Sequence, residues 1–253
     1  MKTKISLLVI LMTTCLTGCG SILKNSEGER IPVSVNEYKV NTPSPTVLIA
    51  HGSDGVQRHH LEWADVVRSW GYNAVVIDHY TLRGIGMHIG TVLPGVRGED
   101  RARDMIYAAR WVQQQSWHKG KIAVIGFSQG GSGVLALANK NELEYYKVIK
   151  PNDSMPISAA VAFYPGCSIS SPPIKPSMPL QVHLAVEDTL AMIGFCGSME
   201  DAQYSIHKYN SATHAFDVYM GQFRPSFHHR YDPGITRVAR ENTKQFLDKN
   251  LKD

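Results

Sequence analysis

The stretch Lys121–Gly133, KIAVIGFSQGGSG, decides how the rest of this 253-residue chain is read. Ile122 to Ile125, apolar and mostly β-branched between Lys121 and Gly126, predict a short buried strand. Beyond Gly130 the run SGVLALANK is rich in helix formers and free of proline, which predicts a helix. Ser128 then falls on the turn between strand and helix, with a glycine two residues before it and two after. A turn that sharp strains the serine, and Gly126 and Gly130 let the flanking backbones pass closely. The hydroxyl is held out at the sheet edge, near the positive end of a helix. Gly126-Phe127-Ser128-Gln129-Gly130 therefore reads as a nucleophile elbow, G-x-S-x-G. The competing reading is a glycine-rich loop closing on a helix by chance; the strand before and the helix after favour the elbow.

An elbow serine needs a base and an orienting acid, following it in the order Asp or Glu, then His. Downstream, PLQVHLAVEDTLA predicts a strand from Leu180 to Val186 that ends in Glu187 and Asp188. YSIHKYNSATHAFD predicts a strand over Tyr204–Tyr209, then a loop holding His214. Both candidates follow strands, where loops present catalytic groups above a parallel sheet. His214 as general base would take the Ser128 proton, and Asp188 would fix its tautomer and stabilise the imidazolium. Adjacent residues at a strand end point different ways, so only one of Glu187 and Asp188 can reach His214. One oxyanion donor is expected in the N–H of Gln129, the residue after the nucleophile. A second would come from the loop after an earlier strand, Val47–Ala50, which leads into His51-Gly52-Ser53. An ordinary strand-ending turn is the alternative there. His51 reads as a structural support of that loop.

Five pieces, IAHGSDG, GFSQGG, AFYPGC, LAVEDT and THAFD, occur in this order between Val47 and Asp217. In that order they resemble the dienelactone hydrolase family of the α/β-hydrolase superfamily. The resemblance implies a doubly wound, mostly parallel sheet with helices on both faces. It places Ser128, Asp188 and His214 as nucleophile, acid and base, favours Asp188 over Glu187, and nominates the Ser53 N–H as the second oxyanion donor. Dienelactone hydrolase itself uses a cysteine nucleophile where this chain has a serine. The implied activity is therefore general serine-esterase chemistry on small carboxylic esters or lactones, through an acyl-enzyme and with no cofactor. A peptidase or acyltransferase on the same triad, and a non-catalytic binding lipoprotein with this fold, are the alternatives.

Length and composition suit one α/β domain, with 43% hydrophobic and 19% charged residues. The N-terminal MKTKISLLVILMTTCLTGC has basic Lys2 and Lys4, a short apolar core and then Leu16-Thr17-Gly18-Cys19. The core is too short to span a bilayer and reads as a secretory signal. Leu-Thr-Gly-Cys resembles the bacterial lipobox, which implies cleavage after Gly18 and lipidation of Cys19. Residues 1–18 would be the signal, 19–30 a polar tether and 31–253 the domain, giving an exported lipoprotein anchored to a membrane. The formal net charge of +4 includes the two lysines that cleavage removes, and no basic tract points to nucleic acid. Export leaves Cys167 and Cys196 as an even pair in an oxidising compartment. Their strands are neighbours in the superfamily, so a disulfide pinning the acid loop is expected ahead of two free thiols. The pairs His59-His60 and His228-His229 lack a cysteine or carboxylate at ligand spacing, so no metal site is expected and they read as solvated. Asp217 reads as a loop carboxylate. The aromatic and basic stretch GQFRPSFHHRYDPG reads either as a border of the cleft or as a packed surface loop.

Overall fold

The apolar runs around Val47, Val75, Val124 and Val161 show no polar alternation, the pattern of strands covered on both sides, while Leu180-Gln181-Val182-His183-Leu184 alternates and is buried all the same. All five become strands in the computed structural model, which describes residues 20–25, 27–86, 96–150, 153–167, 175–191, 204–219 and 229–252. The eight strands are β1 (Ser21–Lys24), β2 (Arg30–Tyr38), β3 (Ser44–Ala50), β4 (Asn73–Asp78), β5 (His118–Phe127), β6 (Ala159–Phe163), β7 (Leu180–Ala185) and β8 (Tyr204–Tyr209). They form one sheet in the order β1-β2-β4-β3-β5-β6-β7-β8. The β1/β2 and β2/β4 pairs are antiparallel and every other pair is parallel. This is the mostly parallel, doubly wound sheet of the α/β-hydrolase fold.

Successive strand residues feed opposite cores, as the two-residue period requires. Leu48, Ala50, Ile122 and Val124 pack with Ala102, Met105 and Ala109 of α2 (Gly98–Gln113) and with Val134 and Leu137 of α3 (Gln129–Ala138). Val47, Ile49, Ala123 and Ile125 pack on the other face, against Trp63 and Val67 of α1 (Arg58–Ser69). Ala239 and Leu247 of the terminal helix join them; a short helix, α4 (Lys140–Tyr145), precedes that helix, α5 (Pro233–Leu251), in the chain. The strand order turns back on itself at β3, which pairs with both β4 and β5. The carboxyl ends of β3 and β5 therefore open onto the crevice where doubly wound sheets bind ligands.

The tether expected over 19–30 is corrected by the fold. Ser21–Lys24 forms the edge strand β1 on β2, and Leu23 is wholly buried in the core. Four residues with one inward side chain are too short to display a period, and their partner β2 supplies the missing signal. Cys19 and the whole of 1–18 lie outside the described residues. No described helix is long and apolar enough to cross a membrane.

Candidate active site

At the end of β5 the chain turns directly into α3, and Ser128 between them has φ +52°. A non-glycine residue there costs about 1–3 kcal/mol and persists only where the surroundings enforce it. The enforcement is visible. Ser128 N–H donates to Phe163 O at 3.0 Å, and Ser132 N–H donates to Ser128 O at 2.9 Å. Gly126 and Gly130 are needed for close approach: a Cβ on Gly126 would lie 2.7 Å from Val134 Cγ2, and one on Gly130 would lie 2.6 Å from His51 O. Those neighbours include rigid backbone, so Gly130→Ala is expected to destabilise the protein by about 3 kcal/mol. A urea midpoint unchanged by that substitution would contradict the packing described.

Ser128, His214 and Asp188, 86 and 26 residues apart along the chain, meet here. His214 Nε2 is 2.9 Å from Ser128 Oγ, and His214 Nδ1 is 2.6 Å from Asp188 Oδ2. Asp188 is buried, and its other oxygen accepts the N–H groups of Leu190 and Ala191 at 2.8 and 2.9 Å. With a carboxylate at Nδ1, the tautomer protonated on Nδ1 is favoured, and Nε2 is left to accept the serine proton. Glu187 takes the opposite course, outward to Arg230 at 3.0 Å, with both side chains more than half exposed. Of the two adjacent carboxylates, Asp188 is the one that meets the imidazole.

The loop after β3 lies against Ser128: the site a Cβ on Gly52 would take is 3.4 Å from Ser128 Cβ. His51 is wholly buried, and its ring bridges two loops. Nε2 accepts the His79 N–H at 3.1 Å while Nδ1 contacts Gly52 O at 2.6 Å. Burial first, then the charge of Arg101, holds its pKa well below the usual histidine range, so it stays neutral as a support. Asp54 Oδ1 is 3.3 Å from the same Gly52 position, which brings a further carboxyl near Ser128. Burial raises the Asp54 pKa against the opposing pull of His59, His229 and His214.

Several side chains behave differently from their sequence reading. His59 and His60 are not solvated: His60 is fully buried, the His59 Nε2 is buried too, and both rings pack edge-on against Phe127. Burial is the main cause lowering both pKa values, and neutral imidazoles suit an aromatic contact. His228 lies outside the described residues, as does most of the aromatic and basic stretch around it; His229 forms a bridge with His214, rings 5.7 Å apart. Among the described residues no group of three or more His, Cys, Asp or Glu could hold a metal ion. Asp217 is a buried anchor. Its carboxylate accepts Trp63 Nε1–H and Tyr164 O–H, each at 2.7 Å, and ties the His214 loop to α1 and β6. Asp217→Ala would strand two buried donors and is expected to cost about 2–4 kcal/mol, read by chemical denaturation. Cys167 is buried after β6, whereas Cys196 lies outside the described residues.

Arg101 was the least legible contributor. It is fully buried behind the β3 loop and donates to His51 O at 2.8 Å and to Gln129 Oε1 at 2.9 Å. The one sequence signal is its place on α2, four residues before Met105 and eight before Ala109, inside the apolar stripe.

Known proteins share the fold. Among the solved structures, a dienelactone hydrolase-like promiscuous phosphotriesterase from metagenomic libraries is 16% identical, with TM-score 0.72 over 91% of this chain and 97% of that one. The dienelactone hydrolase from Anabaena variabilis is 16% identical, with TM-score 0.62 over 92% and 97%. An esterase from Pyrococcus furiosus is 14% identical, with TM-score 0.62 over 91% of each chain. No curated protein matches the chain. At these identities the structural likeness speaks for the fold. Family membership rests on a match to the dienelactone hydrolase family model over residues 33–251. With nearly all of its folded length accounted for in that way, the chain belongs to the dienelactone hydrolase family.

Proposed function

We propose that this hydrolase cleaves small carboxylic esters or lactones through an acyl-enzyme on Ser128. The observation that carries the reading is the line of contacts from Ser128 Oγ through both nitrogens of His214 to Asp188. His214 Nε2 takes the hydroxyl proton as Oγ attacks the carbonyl carbon, and the carbonyl oxygen becomes an oxyanion. The N–H groups of Gln129 and Ser53 receive that oxyanion. Gln129 is the first residue of α3, where the helix dipole favours negative charge. The imidazolium next to Asp188 returns the proton to the leaving alkoxide, and the alcohol departs. Water then repeats the sequence: His214 takes its proton, hydroxide adds to the acyl carbon, and Ser128 leaves reprotonated. The chemistry needs no cofactor. A matched panel of short-chain aryl esters, lactones, thioesters and anilides tests the substrate class. Oxygen esters and lactones are expected to lead in kcat/KM, and anilides leading by tenfold would replace this reading with a peptidase.

We place the protein outside the cytoplasm, tethered through a lipidated Cys19 after loss of residues 1–18, on the strength of the Lys-flanked apolar segment and Leu16-Thr17-Gly18-Cys19. The partner implied is a membrane, by the lipid alone. A Cys167–Cys196 disulfide would tie the segment after Asp188 to the end of β6. Mass spectrometry that finds both thiols alkylated without reductant would remove it.

A further inference from the structure

We propose that Arg101 is a positioning residue for catalysis, a buried cation that aims both amides of the oxyanion hole and polarises that of Ser53. The inference rests on the serine-hydrolase reading above.

A fully buried guanidinium normally faces a carboxylate, because an unpaired buried charge is costly. Here its donors face carbonyl oxygens: His51 O at 2.8 Å, Gln129 Oε1 at 2.9 Å, Val96 O at 3.2 Å and Gly52 O at 3.4 Å. Asp104, three residues along α2, attracts Arg101 through space but makes its direct contacts elsewhere, with Arg83 at 2.9 and 3.0 Å and with His79 at 2.7 Å. Arg101 sits in the apolar stripe of α2, where a methionine or leucine would fill the space without that cost. The charge therefore calls for an explanation beyond packing.

Its acceptors supply one. Gly52 O belongs to the peptide whose N–H is that of Ser53. In a trans peptide the C=O and N–H point in opposite directions. With Gly52 O drawn into the protein by His51 Nδ1 at 2.6 Å and by Arg101, the Ser53 N–H is turned the opposite way, on a loop whose Gly52 Cβ position lies 3.4 Å from Ser128 Cβ. The second contact fixes the other half of the hole. Gln129 Oε1 receives both Arg101 and the Tyr80 hydroxyl, at 2.9 and 2.5 Å, which holds the first turn of α3 in place. The Arg101 guanidinium also lies 5.0 Å from the Tyr80 ring centroid, so the two donors brace each other. A positive charge on the carbonyl side of a peptide strengthens the N–H on its far side as a donor. One side chain thus polarises the Ser53 amide after β3 and steadies the turn that carries the Gln129 amide, and it contributes most when negative charge develops on the substrate oxygen.

The test compares Arg101→Met and Arg101→Lys with the native enzyme on a short-chain aryl ester and with phenylboronic acid, whose adduct with Ser128 mimics the tetrahedral intermediate. Deleting an oxyanion donor outright costs about 10²–10³ in kcat. Misaiming the two amides and depolarising that of Ser53 in Arg101→Met should lower kcat by about 10- to 100-fold, leave KM within about twofold, and weaken boronate inhibition by the same factor as kcat. Arg101→Lys keeps a charge that reaches fewer of the oxygens, and should fall between. If Arg101→Met does not fold, the lysine variant decides: a kcat loss of about threefold or more with matching boronate weakening supports the proposal. A folded variant with native kcat and native boronate affinity, even with a lowered melting temperature, overturns it and reduces Arg101 to packing. Native enzyme that fluorophosphonate does not label at Ser128 would instead strike the hydrolase reading, and the inference with it.

Discussion

Ser128→Ala is expected to abolish hydrolysis of a short-chain aryl ester, with kcat falling about 10⁵-fold and the fold intact. The magnitude follows from the role: without Oγ no acyl-enzyme forms, and His214 can only assist direct attack by water. The substitution removes one oxygen from a strained position at φ +52°, and alanine should sit there no worse than serine. The melting temperature should therefore stay within a few degrees of the native value. Retained turnover in a folded variant would mean that the reaction runs through another group, and the assignment would fall.

The second large effect separates two neighbouring carboxylates. Asp188→Asn should lower kcat by about 10³- to 10⁴-fold, because an amide at that position can donate to Nδ1 and hold the imidazole in the wrong tautomer. Glu187→Gln should leave kcat within about twofold, since Glu187 reaches only the exposed Arg230, a pair of the kind that contributes little. Reversal of these two results would move the acid one residue along the chain and require the loop after β7 to have a different conformation. The backbone argues against that: Asp188 Oδ1 already accepts two amides of its own loop.

How much of this was legible in the sequence depended on whether the deciding interaction was local. The strand, the turn and the helix around Ser128 could be read because each carries its own signal: an apolar run, two glycines and a string of helix formers. The same held for the strands that deliver Asp188 and His214, since a strand followed by an acid or histidine in a loop is a pattern within a dozen residues. What escaped reading was settled by distant partners. Leu23 joins the core because β2 pairs with its strand, and nothing in SILK announces that. Asp217 is anchored by Trp63 from 154 residues away. His59 and His60 suggested water, yet they lie on Phe127, which only the fold brings to them. Arg101 combined both difficulties, being a charge in an apolar stripe whose acceptors come from three other segments.

The central claim is that Ser128 is a nucleophile activated by His214 and Asp188, and covalent capture tests it most directly. The native protein, treated with a fluorophosphonate and digested with trypsin, should carry the phosphonyl mass on the peptide from Ile122 to Lys140, at Ser128. The adduct should be absent from Ser128→Ala and should form far more slowly in Asp188→Asn. A native protein that stays unmodified while remaining an active esterase, or one modified at a different serine, would contradict the account.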